Sequence, residues 1–249
     1  MLPQHSRHCP VLEAGSAAGF MVYAPIEPKE SVHISYEGDG VYKFVYFVQT
    51  QDNKTTPIFS VTMTLAVGGV GAMKEDVQVM SPASVTREAA LAVARVFLVP
   101  EDMGTPPGAI ALRGAYNFRT PPGWDTLYTP IFNMIERPIA PMLIVRVETD
   151  WYTHETEFRY VLQPGEGITV SHAIPIGQIM FVPREDVTFR DATATEIEEL
   201  QRAQSNFIRD KAAAAQTTPY GLTVSPHYLR ASRERRDADR GGRKSDDKS

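Results

Sequence analysis

RGAYNFRTPPGWDTLYTPIFN at residues 113–133, continued by PMLIVRVETDWYTHETEFRYVLQPGEGITVSHAIPIGQIMFVPR at 141–184, is the stretch that decides the fold. Val, Ile, Phe, Tyr and Thr dominate it, and Pro/Gly clusters at 120–123 and 164–167 punctuate it. Short β-type runs closed by turn residues are how a hairpin-built antiparallel sheet is written.

Outward toward the N-terminus, residues 19–25 and 32–36 read as strands, and Gly38-Asp39-Gly40 as a turn. VYKFVYFVQ at 41–49 is the clearest strand of this half. A polar loop at 51–56 precedes residues 58–67, where Phe59, Val61, Met63 and Leu65 alternate with smaller or polar residues, the period of a half-buried strand. The GGVGA at 68–72 lacks the Gly-Lys-Ser/Thr of a phosphate loop and reads as a connection. Residues 86–98 are rich in Ala, Leu, Arg and Glu behind a capping Thr86, which predicts a helix with Leu91, Ala94 and Leu98 on one face.

Toward the C-terminus, Thr195 with Glu198 predicts a capping box that opens a helix through residue 214. Its Ile197, Leu200, Phe207 and Ile208 form a stripe for the body or for another subunit, so a homo-oligomer is a candidate assembly. Past 217 the chain is charged and apolar-poor. The expectation is a mainly β protein: a two-layer antiparallel β-sandwich or jelly-roll-like domain with one or two peripheral helices over residues 1–216, then a disordered charged tail at 217–249.

Composition excludes several classes. With 43% hydrophobic and 22% charged residues the chain can bury a core without covalent staples. Its single Cys9 forms no internal disulfide, which points to a reducing cytoplasm. The N-terminal residues lack the basic-then-apolar order of an export signal. Arg146, Glu148 and Asp150 interrupt the longest β-type runs, so no membrane span is expected. The net charge of −5 divides into +3 over residues 230–249, with eight Lys/Arg and five Asp/Glu, and −8 over the rest. An acidic body argues against a nucleic-acid surface except through the tail.

Chemistry has few anchors. His5 and His8 beside Cys9 lack a second pair at zinc spacing. Residues 143–151 read as a strand with Arg146, Glu148 and Asp150 on one face. Glu148 and Asp150 are the candidate catalytic carboxylates, as an acid/base or metal pair. If Asp150 is structural instead, its expected partner is Arg119 or Arg146. With Asp150, the residues His154, Glu157 and His172 offer a two-histidine, one-carboxylate set for non-haem iron, although the usual oxygenase spacing is absent. No nucleophile elbow occurs. Ile176-Gly177-Gln178-Ile179 resembles the Ile-Ala-Gln-Leu strand of trimeric dUTPases and dCTP deaminases, where an Asp-bearing hairpin precedes, here Asp150. That resemblance implies nucleotide hydrolysis, but the Pro-Arg-Ser-Gly motif and an aromatic, Gly-rich C-terminal arm are missing.

Phe118 to Gly123 (FRTPPG), Glu148 to Trp151 (ETDW), the Pro164-Gly165 turn and the strand from Ile174 to Arg184 together resemble a family of bacterial and phage proteins known only as a numbered domain of unknown function. Cys9, Pro10, Ala18, Gly19, Phe20 and Pro25 are similar to its N-terminal pattern, and the resemblance covers about residues 9–190. It implies a fold and a set of important positions, with no activity or cofactor attached. Those positions suggest a pocket walled by Tyr116, Trp124, Tyr128 and Trp151, with Arg119 and Asp150 as its polar groups, the composition of a small-ligand site. The reading is a binding or assembly module for a small molecule or a protein. The alternative is an enzyme with a carboxylate/His site, oxygenase-like or dUTPase-like.

Overall fold

Asp39 and Gly40 show how local sequence fixes the larger sheet. Both have positive φ, +49° and +75°, the backbone of a type I′ turn, and they join β2 (Glu30–Gly38) to β3 (Val41–Gln49) as a two-residue hairpin. A side chain at Gly40 would run into the Leu65 carbonyl. β4 (Thr55–Thr64) follows antiparallel, with a register shift at Tyr46/Phe47 where Pro57 enters the ladder. β5 (Lys74–Val79) closes that edge and opens on three charged residues, Lys74, Glu75 and Asp76, that suit an exposed rim.

The computed structural model describes residues 10–50, 52, 54–65, 74–80, 85–98, 106–134, 142–153, 155–219, 221 and 223–246. Among the described residues strands outweigh helices, and the main sheets are antiparallel, so the protein is mainly β and sandwich-like. The described residues divide into two compact units, one over Leu12–Glu185 and one over Asp186–Asp246 together with Pro10 and Val11.

Within the first unit, β11 (Glu166–Ser171) joins the β2–β5 sheet beside β2, in the order β11-β2-β3-β4-β5. A second sheet runs β1 (Phe20–Tyr23), β12 (Pro175–Pro183), β7 (Trp124–Thr129), β9 (Val145–Val147), and a third runs β6 (Ala109–Arg113), β10 (Glu157–Val161), β8 (Met142–Leu143). One apolar cluster joins the inner faces: Ile34, Phe44, Val61 and Met63 from the first sheet, Tyr128 and Ile179 from the second, Leu112, Phe158 and Tyr160 from the third. Tyr128 and Phe158 meet edge to face at 5.6 Å, and Gly177 lies against the Phe158 ring.

Helix α2 (Arg87–Arg95) is capped by the Thr86 hydroxyl and buries Ala90, Leu91 and Ala94. It packs on β4 and β5, and Arg95 holds Glu75 at 2.5 Å. The helix stops at Arg95, and Leu98 bridges to Ile110 in the sheet, so Leu98 belongs to the strand side of this corner. A short helix α1 (Pro10–Ser16) is tied to the loop after β7 by Asn133, whose amide donates to the Ser16 hydroxyl at 3.0 Å.

The expected strand over 143–151 divides. β8 pairs with β10 in the third sheet while β9 pairs with β7 in the second, and the chain changes sheets at Ile144. It ends at Val147, and residues 148–152 form a turn in which the Glu148 carbonyl accepts from the Tyr152 amide at 3.0 Å.

In the second unit, α3 (Ala194–Ala213) opens with a capping box of Thr193 and Glu196, two residues before the expected pair. Both Thr-x-x-Glu frames are present in TATEIEE; Arg190 pairs with Glu196 at 2.5 Å and selects the first. No described residue of α3 is buried. β13 (Gln216–Thr217) pairs with β14 (Thr223–Val224), and α4 (His227–Asp246) occupies the charged stretch expected to lack regular structure. Phe207 on α3 meets the His227 ring at 5.0 Å. α4 is rich in Arg and Asp, with Tyr228 and Leu229 at its start and Gly241-Gly242 near its end, and a helix of that composition is marginal in water. No helix among the described residues is long and apolar enough to cross a membrane.

Candidate functional site

Pro121-Pro122-Gly123-Trp124 is a tight turn with Gly123 at φ +79° and the Trp124 amide bonded to the Pro121 carbonyl at 3.1 Å. Proline before a positive-φ glycine is the type II pattern. Both Gly123 backbone groups are used: its amide donates to Asp150 Oδ2 at 3.0 Å, and its carbonyl accepts from the Arg184 amide at 2.8 Å. The FRTPPG turn, the ETDW turn and the end of β12 thus meet at one corner.

Three buried threonines lock the corner from within. The Thr149 hydroxyl lies 2.9 Å from that of Thr120 and 2.7 Å from that of Thr126, and Thr120 donates to the Trp124 carbonyl at 2.5 Å. Arg184 locks it from outside. Its Nε and Nη2 reach Asp125 Oδ1 at 2.8 and 2.6 Å, and Nη2 also reaches Asp150 Oδ1 at 2.6 Å. Arg146 Nε completes the set on Asp125 Oδ2 at 2.6 Å. Asp125 has 2% of its side chain exposed, whereas Arg146 and Arg184 are 48% and 34% exposed, so the carboxylate is covered but shallow.

The electrostatics follow from these bonds. Arg184 above all holds the Asp125 carboxyl below the usual range, against the opposing effect of desolvation and with help from Arg146. Arg184, then the Gly123 amide, does the same for Asp150. Both groups stay ionised through neutral pH, and each Asp150 oxygen already accepts a hydrogen bond. The expected partner of Asp150 was Arg119 or Arg146; the partner is Arg184.

The expected acid/base pair does not form. Glu148 lies beyond the end of β9, accepts from the Trp151 indole N–H and stands 3.7 Å from Arg184, while Asp150 faces Gly123 and Arg184. Tyr128 is not a pocket wall. It alternates inward on β7 and is fully buried in the core. Glu157 pairs with Arg159 at 2.7 Å, His172 is exposed in the turn after β11, and His154 lies outside the described residues, as do His5, His8, Cys9 and the glycines at 68–72. Among the described residues no three His, Cys, Asp or Glu side chains converge as metal ligands. Gln178 is buried, its Oε1 accepting from the Phe132 amide at 2.9 Å and its Nε2 donating to the Ala18 carbonyl, so it secures two backbone segments.

What remains open is a cleft of about 360 Å³ lined by Asn117, Phe118, Arg119, Thr149, Asp150, Trp151, Tyr152 and Thr153. It takes in Arg119, Asp150 and Trp151 of the expected set, with Tyr116 and Trp124 exposed but not in its lining. Trp151 is 69% exposed, and its ring lies 5.7 Å from that of Tyr152. Asn117 fixes the far side by accepting from the Thr156 amide at 2.9 Å. Sequence reasoning missed Asp125 and Arg184 as a pair. The available signal was an Asp among the apolar residues of β7 and an Arg ending the Ile174 to Arg184 run. Compared with known proteins, no family model, curated protein or solved structure matches the chain.

Proposed function

We propose that the β-rich body is a small-ligand-binding module whose site is the cleft between the 117–120 and 149–153 segments. The observation that carries this is the division of labour at the corner. The two low-pKa carboxylates are consumed in holding the turns together, while Arg119 and the Trp151 and Tyr152 rings face the opening. A general base needs a carboxylate free to take a proton at working pH. Asp150 has neither a free oxygen nor a raised pKa, which favours binding over acid–base catalysis. A rigid frame around a partly apolar recess with a few polar groups suits binding. On this reading the FRTPPG and ETDW motifs are two halves of one clamp. Cytoplasmic residence fits a protein whose one thiol needs no partner.

Trp124 and Trp151 are the two tryptophans, so Trp124→Phe leaves Trp151 as the reporter. Titrating that variant with a small-metabolite panel should give saturable quenching and a raised melting temperature for at least one compound. A compound that is chemically converted, with conversion abolished by Asp150→Asn in a still-folded protein, would refute the binding-only reading.

A further inference from the structure

Resting on that binding reading, we infer that the ligand of the cleft is a planar ring carrying an anionic group, a carboxylate or a phosphate. The charge balance inside the cleft comes first. Among the described residues Asp150 is the only acidic one in its lining, and both its oxygens accept from the protein, one from Arg184 and one from the Gly123 amide. Nearby Glu148 is turned to the Trp151 indole N–H with Arg184 at 3.7 Å. Asp125 and Asp150, the two covered carboxylates at this corner, therefore have both oxygens engaged by arginines or a backbone amide.

The donors are not matched in the same way. Among the described residues, the Arg119 guanidinium and the Asn117 Nδ2 donate to no protein acceptor, while Asn117 Oδ1 is taken by the Thr156 amide. A guanidinium has only donors and presents them as a planar fork that fits carboxylate or phosphate oxygens. The unused hydrogen-bonding capacity of the cleft is thus donating, carried by the Arg119 guanidinium and the Asn117 amide.

Ring recognition comes from the walls. Phe118, Trp151 and Tyr152 contribute aromatic surface, and the bond from the Trp151 N–H to Glu148 restrains the indole while leaving it largely exposed. Aromatic faces alone would also attract a cationic ring, but Arg119 in the same cleft opposes it. A volume of about 360 Å³ is at the small end for ligand sites, room for one ring system and its acid.

The test uses the full chain and four naphthalene probes that share one ring system: naphthoate and naphthyl phosphate as the two anion sources, naphthalenemethanol as the neutral congener, and naphthylmethylammonium as the cation. Affinities are read by calorimetry and by Trp151 fluorescence in the Trp124→Phe background. At least one anion should bind about tenfold or more tightly than the neutral probe, the gain expected from one charge-assisted pair. Arg119→Gln should collapse that ratio to about one, and added salt should reduce it. Naphthoate and naphthyl phosphate binding separately tells which acid is preferred; either supports the inference. Neutral or cationic probes binding as tightly as the anions, with Trp151→Ala abolishing the heat of binding in calorimetry, would overturn the ligand class and leave the binding reading standing. Preference for anions that survives Arg119→Gln also overturns it. No Trp151-dependent binding of any probe removes both.

Discussion

Replacing Asp125 with Asn removes one charge from the centre of the corner without changing its shape. Two donor bonds from Arg184 and one from Arg146 then meet a neutral amide, and one face of that amide presents N–H groups to a guanidinium. Breaking a deeply buried pair costs about 3–5 kcal/mol, and an exposed pair under about 1 kcal/mol. Asp125 is covered, but its arginines are a third to a half exposed, so solvent screens the site and an intermediate loss of about 2 kcal/mol is expected. For a domain of this size that lowers Tm by about 4–8 °C. The assay is urea unfolding with thermal melts, where the midpoint should fall and the m-value stay constant. Asp150→Asn should lower Tm less, because its side-chain oxygen still accepts from Gly123, and Glu148→Gln should leave it unchanged. A wild-type melt for Asp125→Asn would refute the claim that this network holds the turns together.

Acid should act through the same groups. The folded-state pKa values of Asp125 and Asp150 are depressed, so their stabilisation is complete above the unfolded value of about 4 and is lost as pH falls through the folded values. Urea midpoints should therefore drop from pH 5 to pH 3, and the drop should be shallower in Asp125→Asn; equal slopes would count against it. Gly177→Ala puts a methyl group into the buried Phe158 ring and should destabilise by about 2–3 kcal/mol. By contrast, Gly123→Ala meets no atom within 4 Å and should cost only about 1 kcal/mol for its positive φ, seen as a smaller Tm shift in the same melts.

Local chemistry was legible in the sequence wherever a residue decides its own conformation. The Asp39-Gly40 turn, the bounds of β3, the Thr86 cap and the period-two alternation of β4 all stand in the structure close to where the residues place them. β5 escaped because it opens on three consecutive charged residues and leaves only Val77 and Val79 as an apolar alternation, too short to stand out. Residues 143–151 misled because they keep strand-like alternation across a point where the chain changes sheets, and alternation records which face is buried, not which neighbour supplies the pairing. Half of the candidate site was readable: Arg119, Asp150 and Trp151 do share a cleft. The error over Tyr128 was one of facing, since β7 turns Tyr128 into the core and Asp125 out to the arginines. Arg184 lies 34 residues from Asp150 and 59 from Asp125, and only the antiparallel pairing of β12 with β7 brings them together. Sequence spacing carries no trace of such a contact.

The most direct measurement of the binding account is an amide-proton NMR titration of the full chain with naphthoate. Saturable shifts should concentrate at Asn117, Phe118, Arg119 and residues 150–153, with the Trp151 indole signal moving and that of Trp124 nearly still. Shifts confined to residues outside that cleft, or a Trp151 indole signal that stays fixed while another region saturates, would contradict it.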